Sequence, residues 1–209
     1  GVTMSLANPR LPPLPSCRSA LVPFTPAASA VTAQWHAGVV MSMANPRPPT
    51  GTFVQVSAGV GYTCGVRAES TVQCWGLNLS GQSTAPAGTF LQVSASSAHT
   101  CGVRSDGTVE CWGEDRYGQS TPPPGTFVQV SAGWAHTCGV RTDGTVACWG
   151  NNEIGQSTPP PGTFVQVSAG TFHTCGVRSD GTVACWGGDG YGQSTPPPGT
   201  FVQVSARGD

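Results

Sequence analysis

The sequence predicts an all-β chain assembled from a tandem repeat of roughly three strands per unit. Three observations carry that prediction. The string Gly-Thr-Phe recurs at Gly51, Gly88, Gly125, Gly162 and Gly199, always 37 residues apart, and Cys64, Cys101, Cys138 and Cys175 keep the same spacing. Gly (29) and Pro (19) together make up about 23% of the chain, which breaks helices and favours short strands joined by turns. Within each unit apolar and polar residues alternate at period two, the signature of half-buried strands. Four units follow, 51–87, 88–124, 125–161 and 162–198, and residues 199–209 supply the first strand of a further one.

The third unit displays the elements in order. Phe127 to Ala132 alternates and is rich in aromatic and β-branched residues, so it forms a first strand. His136 to Arg141 and Thr145 to Gly150 form two more, joined by Thr142-Asp143-Gly144. Glycine at the third position of that linker suits the left-handed residue of a three-residue hairpin loop. Such a loop pairs Arg141 with Thr145, Val140 with Val146, Gly139 with Ala147 and Cys138 with Cys148. The tail, Gly155 to Pro161, is proline-rich and is expected to run extended to the next unit.

The same register places Cys64 opposite Cys74, Cys101 opposite Cys111, and Cys175 opposite Cys185. Directly opposed strand residues have Cα atoms about 4.5–5.5 Å apart, within disulfide range, so four bridges are geometrically open to these eight cysteines. Bridges imply an oxidising compartment. Two alternatives remain at this stage: buried free thiols, or a His/Cys/Cys zinc site, since His99, His136 and His173 each stand two residues before a cysteine while the first unit has Tyr62 there.

Five sub-motifs recur at fixed spacing: Val130-Ser131-Ala132-Gly133, His136-Thr137-Cys138, Asp143-Gly144-Thr145-Val146, Cys148-Trp149-Gly150 and Gly155-Gln156. Together they resemble the repeat of the regulator of chromosome condensation family over residues 51–206. The resemblance implies a β-propeller, or a propeller-like array, with one repeat length per blade. The length of 37 residues fits three strands plus an extended return, and Gly-Gln-Ser-Thr stands where the family has Gly-Gln-Leu-Gly. The compact, cysteine-containing unit is similar to bacterial secreted members, among them a β-lactamase-inhibiting propeller.

Residues 1–50 are rich in Pro and Ala, contain neither Asp nor Glu, and lack the motif. They nevertheless keep the period: Gly1-Val2, Met4-Ser5 and Ala7-Asn8-Pro9-Arg10 recur as Gly38-Val39, Met41-Ser42 and Ala44-Asn45-Pro46-Arg47. Codons exist for Thr32 to Gly38 that, read one base earlier, spell Asp-Gly-Thr-Val-Ala-Cys-Trp. The same shift turns Ser16 to Thr25 into Phe-Val-Gln-Val-Ser-Ala-Gly-Pro-Phe-His and Met41 to Pro49 into Tyr-Glu-Tyr-Gly-Gln-Ser-Thr-Pro-Pro. The segment therefore reads as an out-of-frame version of the repeat, which also accounts for the ninth cysteine, Cys17. Either the molecule has a further blade there, or it has a proline-rich arm with little capacity to fold alone.

Function is bounded by charge. Charged residues are only 9% of the chain, there is no lysine, and the net charge is −1, so no basic footprint for nucleic acid exists. No apolar run reaches the ~20 residues of a membrane helix. Asp106, Asp143 and Asp180 occupy turns, the histidines recur unchanged, and no catalytic, cofactor or metal constellation stands out, so enzymatic activity is not expected. Asn78-Leu79-Ser80 is a lone glycosylation sequon, and the terminal Arg207-Gly208-Asp209 resembles an adhesion tripeptide.

Variation among the units concentrates in two loops, between the first and second strands and after the third. Antiparallel order sends both to one rim. That rim carries Trp134, Phe172, Tyr117, Tyr191 and Ile154 with Arg116, Glu153 and Asp189, a mixture typical of binding hot spots. The expected function is a secreted or cell-surface module that binds a protein or glycan there. The competing expectation is a structural one, an extracellular fibre grown by self-association of near-identical units.

Overall fold

A computed structural model describes residues 49–207, and these form twelve strands in four three-stranded antiparallel sheets. Blade 1 contains β1 (Phe53–Ala58), β2 (Tyr62–Arg67) and β3 (Val72–Gly76), and blade 2 contains β4 (Phe90–Ala95), β5 (His99–Arg104) and β6 (Val109–Gly113). Blade 3 contains β7 (Phe127–Ala132), β8 (His136–Arg141) and β9 (Val146–Gly150), and blade 4 contains β10 (Phe164–Ala169), β11 (His173–Arg178) and β12 (Val183–Gly187). The proposals made for 1–48 lie outside the described residues.

The hairpin register is the one the linker requires. Val140 faces Val146, Gly139 faces Ala147 and Cys138 faces Cys148. Arg141 N donates to Thr145 O at 2.8 Å and Gly144 N to Arg141 O at 2.9 Å, with Gly144 at φ 83°. Asp143 completes the turn by accepting from both the amide and the hydroxyl of Thr145. The third strand starts at Val146, one residue later than the pattern suggests, because Thr145 is spent on this turn.

All four disulfides form, each across ten residues with Cα atoms 4.0 Å apart. Alternation from the Arg141–Thr145 bond places Cys138 and Cys148 at a non-hydrogen-bonded site, the closer of the two kinds of pair. The free-thiol and zinc alternatives are thereby excluded for these eight cysteines.

Three sequence expectations need correction. Period two would expose Val130 with Val128, yet Phe127, Val130 and Ala132 are buried and Val128 is exposed. The cause is a β-bulge: Phe127 pairs with Arg141 and Gln129 with Val140, leaving Val128 unpaired. The tail is not extended from its start, since Thr158 N donates to Gly155 O at 3.0 Å and Gly155 adopts φ 82°. Finally, Phe201–Ala206 is not a strand. It lies beside β10, where Ala206 N reaches Ser168 Oγ at 2.9 Å, but among the described residues no hairpin follows to pair with it.

The cores lie between blades. Cys101 and Val103 of blade 2 pack with Phe127, Val130 and Trp149 of blade 3, and Cys138 and Val140 pack likewise with Phe164, Val167 and Trp186. Each disulfide thus doubles as apolar wall for the next blade. On the inner, concave face a side-chain clasp joins successive first strands. Gln92 donates to Val130 O and accepts from Val130 N, both at 2.8 Å, and Ser94 Oγ accepts from Ala132 N. Gln55 and Ser57, Gln129 and Ser131, and Gln166 and Ser168 repeat the arrangement.

Candidate binding rim

Antiparallel order does bring both variable loops of every blade to one end, opposite the aspartate turns. The loop after the first strand is held by its own blade: Gly133 N bonds His136 O and Asn151 N bonds Ala135 O. The loop after the third strand closes on an asparagine or aspartate. Asp115 accepts from Ser120 N and Thr121 Oγ1, and Asp189 accepts from Ser194 N and Thr195 Oγ1. These bonds fix the loop ends and leave the intervening side chains free to differ.

Four of the eight predicted rim residues come together. Trp134 and Phe172, from adjacent blades, meet edge to face with centroids 5.8 Å apart, and Arg116 lies over Tyr117 at 5.6 Å. Trp134, Arg116 and Tyr117 share the walls of a cavity of about 190 Å³ with Ser97, Ala98, Glu114, Gln119 and Ala135. Ile154 leans toward Gly188 of the next blade. Tyr191 stands apart at 90% exposure, Glu153 is exposed, and Asp189 is committed to its turn. Glu114 and Gln119 were not among the predicted site residues. Gln119 recurs in every unit as Gln82, Gln156 and Gln193, which marks it as framework, whereas Glu114 opens the variable loop after the third strand, where the other units have Leu77, Asn151 and Gly188.

The buried polar groups have structural work. His99 Nε2 lies 2.8 Å from Thr137 Oγ1, whose proton goes to the Gln119 carbonyl. Nε2 is therefore the protonated nitrogen and Nδ1 is a bare lone pair, without a partner among the described residues. His136, Thr174 and Gln156 repeat this chain. Burial, reinforced by repulsion from the next histidine, pushes both imidazoles down to about 4. The hydroxyl and amide of Thr145 hold Asp143 below the usual carboxylate range, and Thr108 and Thr182 do the same for Asp106 and Asp180. No cluster of three metal-ligating groups occurs among the described residues, and no helix there is long and apolar enough to cross a membrane.

Residues 53–82, 90–119, 127–156 and 164–193 each match the model described as the Regulator of chromosome condensation (RCC1) repeat. The chain belongs to this repeat family. No curated protein matches the sequence. The fold is similar to the ectodomain of the receptor kinase CR4 from Physcomitrella patens, with 27% identity, 76% of this chain and 47% of that chain covered, and a TM-score of 0.67. It is also similar to the CRINKLY WD40 ectodomain of the receptor kinase ACR4 from Arabidopsis thaliana, with 28% identity, 76% and 60% covered, and a TM-score of 0.64. The chain thus spans about half the length of these ectodomains. Saccharomyces cerevisiae Prp20p, described with its binding to Gsp1p and histones, shares the fold at 15% identity, 78% and 56% covered, TM-score 0.64. In RCC1-repeat terms, the matched segments run from the first strand to the glutamine of the tail. The rim residues fall inside the matched spans, at positions the four copies fill differently.

Proposed function

We propose that this chain is a secreted or cell-surface binding module that recognises a protein or glycan partner through the rim of blades 2 to 4, and that it is not an enzyme. The observation that supports this most is the gathering of Arg116, Tyr117, Trp134 and Phe172 at one end while the repeated framework is buried. Exposed aromatic and arginine side chains on a rigid scaffold are the usual anchors of recognition. Four disulfides suit an oxidising compartment, and the two receptor-kinase relatives are ectodomains. Against catalysis, the turn aspartates are committed to threonines and the interblade histidines are sealed from solvent. Probing displayed extracellular domains and a glycan array with the wild type and with a W134A/F172A double variant tests the proposal. Binding lost in the double variant is the expected result, and binding that survives it would overturn the rim assignment.

A second reading, growth into a fibre, is favoured by the clasp. Val56 is 42% exposed, whereas Val93, Val130 and Val167 are each 1% exposed beneath the preceding blade's strand. Gln203 and Ser205, beyond blade 4, are exposed among the described residues. One copy could present the latter pair to blade 1 of another, in the same head-to-tail sense as within the chain. Light scattering over a concentration series separates the readings: a constant monomer mass opposes assembly, and open-ended growth opposes a discrete binder.

A further inference from the structure

We propose that the cavity between the rims of blades 2 and 3 is a glycan subsite that takes one neutral pyranose ring. The proposal rests on the rim reading above and names its ligand. The cavity, about 190 Å³, is on the scale of a single sugar ring and far smaller than a protein-sized footprint. A pyranose has an apolar face of C–H groups and an edge of hydroxyls that both donate and accept. The lining matches that division. Trp134, 49% exposed, and Tyr117 supply aromatic surface, and the indole N–H of Trp134 has no partner among the described residues. Glu114 can only accept hydrogen bonds and Arg116 can only donate them.

Gln119 decides between a sugar and an apolar side chain of a protein partner. It is 2% exposed, and its Oε1 accepts from Tyr117 N at 2.8 Å, which fixes the orientation of the amide. Its Nε2 is left without a hydrogen-bond partner among the described residues, in a residue that lines the cavity. In blade 3 the equivalent Gln156 gives its Nε2 to Asn151 Oδ1, so the same framework amide is satisfied there. In blade 2 the place of Asn151 is taken by Glu114, and no such bond forms. An apolar occupant would cover that donor and leave it unmet, whereas a ring hydroxyl accepts from it. Arg116 is also the one arginine that lines this cavity: Arg67, Arg104, Arg141 and Arg178 stack on phenylalanines at the other end of their blades, and Arg207 lies beyond blade 4 against Gly170.

The test uses the full chain, labelled and applied to an array of neutral, hexose-containing oligosaccharides, with a displayed-peptide library as the second arm. Saturable binding to a subset of glycans is expected. It should weaken about tenfold in W134A, be restored substantially in W134F, and fall severalfold in E114Q, while V128A, at the exposed bulge of β7 away from the rim, stays at wild-type strength. A silent array, or glycan binding indifferent to W134A and E114Q, overturns the sugar assignment. Peptide binding that W134A abolishes, with the array silent, overturns the assignment while the rim reading stands. Binding in either arm that no rim substitution affects removes both.

Discussion

Blade 1 and blade 3 have the same strands, the same register and the same bridge, yet they differ at several framework positions and across the rim. Blade 3 has His136 between blades, and blade 1 has Tyr62, whose hydroxyl donates to the next blade's His99 O at 2.6 Å. Blade 3 turns on Gly144, and blade 1 on Ser70 at φ 66°, the one non-glycine residue with a positive φ among those described. Blade 3 shows Trp134 and Ile154 at the rim, blade 1 only Val60 and Leu79. The fold therefore depends on which bonds are made, not on which residue makes them: a side chain that reaches the neighbouring blade suffices between blades, and any residue that tolerates the left-handed turn suffices in the hairpin.

Acid should separate the two kinds of junction most strongly. His99 and His136 have folded values near 4 against 6.5 when free, so the unfolded chain binds more protons in between. Their contribution is whole above about pH 6.5 and is lost as pH falls toward 4, at roughly 3 kcal/mol for each histidine. Replacing His136 by the tyrosine of blade 1 (H136Y) should keep the fold and remove about half of this pH dependence, measured as denaturant midpoints between pH 7 and pH 4. An unchanged slope would mean the imidazoles are not the source.

The bridges come next. They are common to all blades, so their loss should cost alike wherever it is made. Removing Cys138 and Cys148 together (C138A/C148A) should destabilise by about 2–3 kcal/mol on loop entropy, and a similar cost is expected for C64A/C74A, read from urea unfolding. A cost much smaller in blade 1 would show that its exposed inner strand already frays.

The smallest effect sharpens the hairpin comparison. Ser70→Gly should stabilise by about 1 kcal/mol by relieving the left-handed serine, and Gly144→Ala should destabilise by about as much or more. Thermal midpoints of the two variants would move in opposite directions. Equal shifts would refute turn strain as the difference between the blades.

Much of this architecture was legible in the residues, for a physical reason. The hairpin is local, so alternation and a three-residue linker with a terminal glycine fix the pairing down to Cys138 and Cys148. The bulge was not legible, because Phe127-Val128-Gln129-Val130 alternates well enough to hide an extra residue whose displacement depends on the packing of the next blade. Likewise Trp134, Arg116, Tyr117 and Glu114 stand at positions that differ between units, Glu114 being Leu77, Asn151 and Gly188 elsewhere, whereas Gln119 is repeated in every unit and gave no such signal, because a wall shared by two blades has no trace in either one alone. The frame-shift reading of 1–50 remains testable by peptide masses over that segment; peptides matching the residues as written would refute a sequence error.

The inner clasp has a consequence for how such a molecule changes over generations. Neighbouring first strands are held by glutamine and serine side chains that every copy already contains, so duplicating or deleting a 37-residue stretch brings together two surfaces that already fit. Gene rearrangement within the array can therefore lengthen or shorten the protein without a compensating substitution, and each added copy offers a fresh pair of loops on which new specificity can arise.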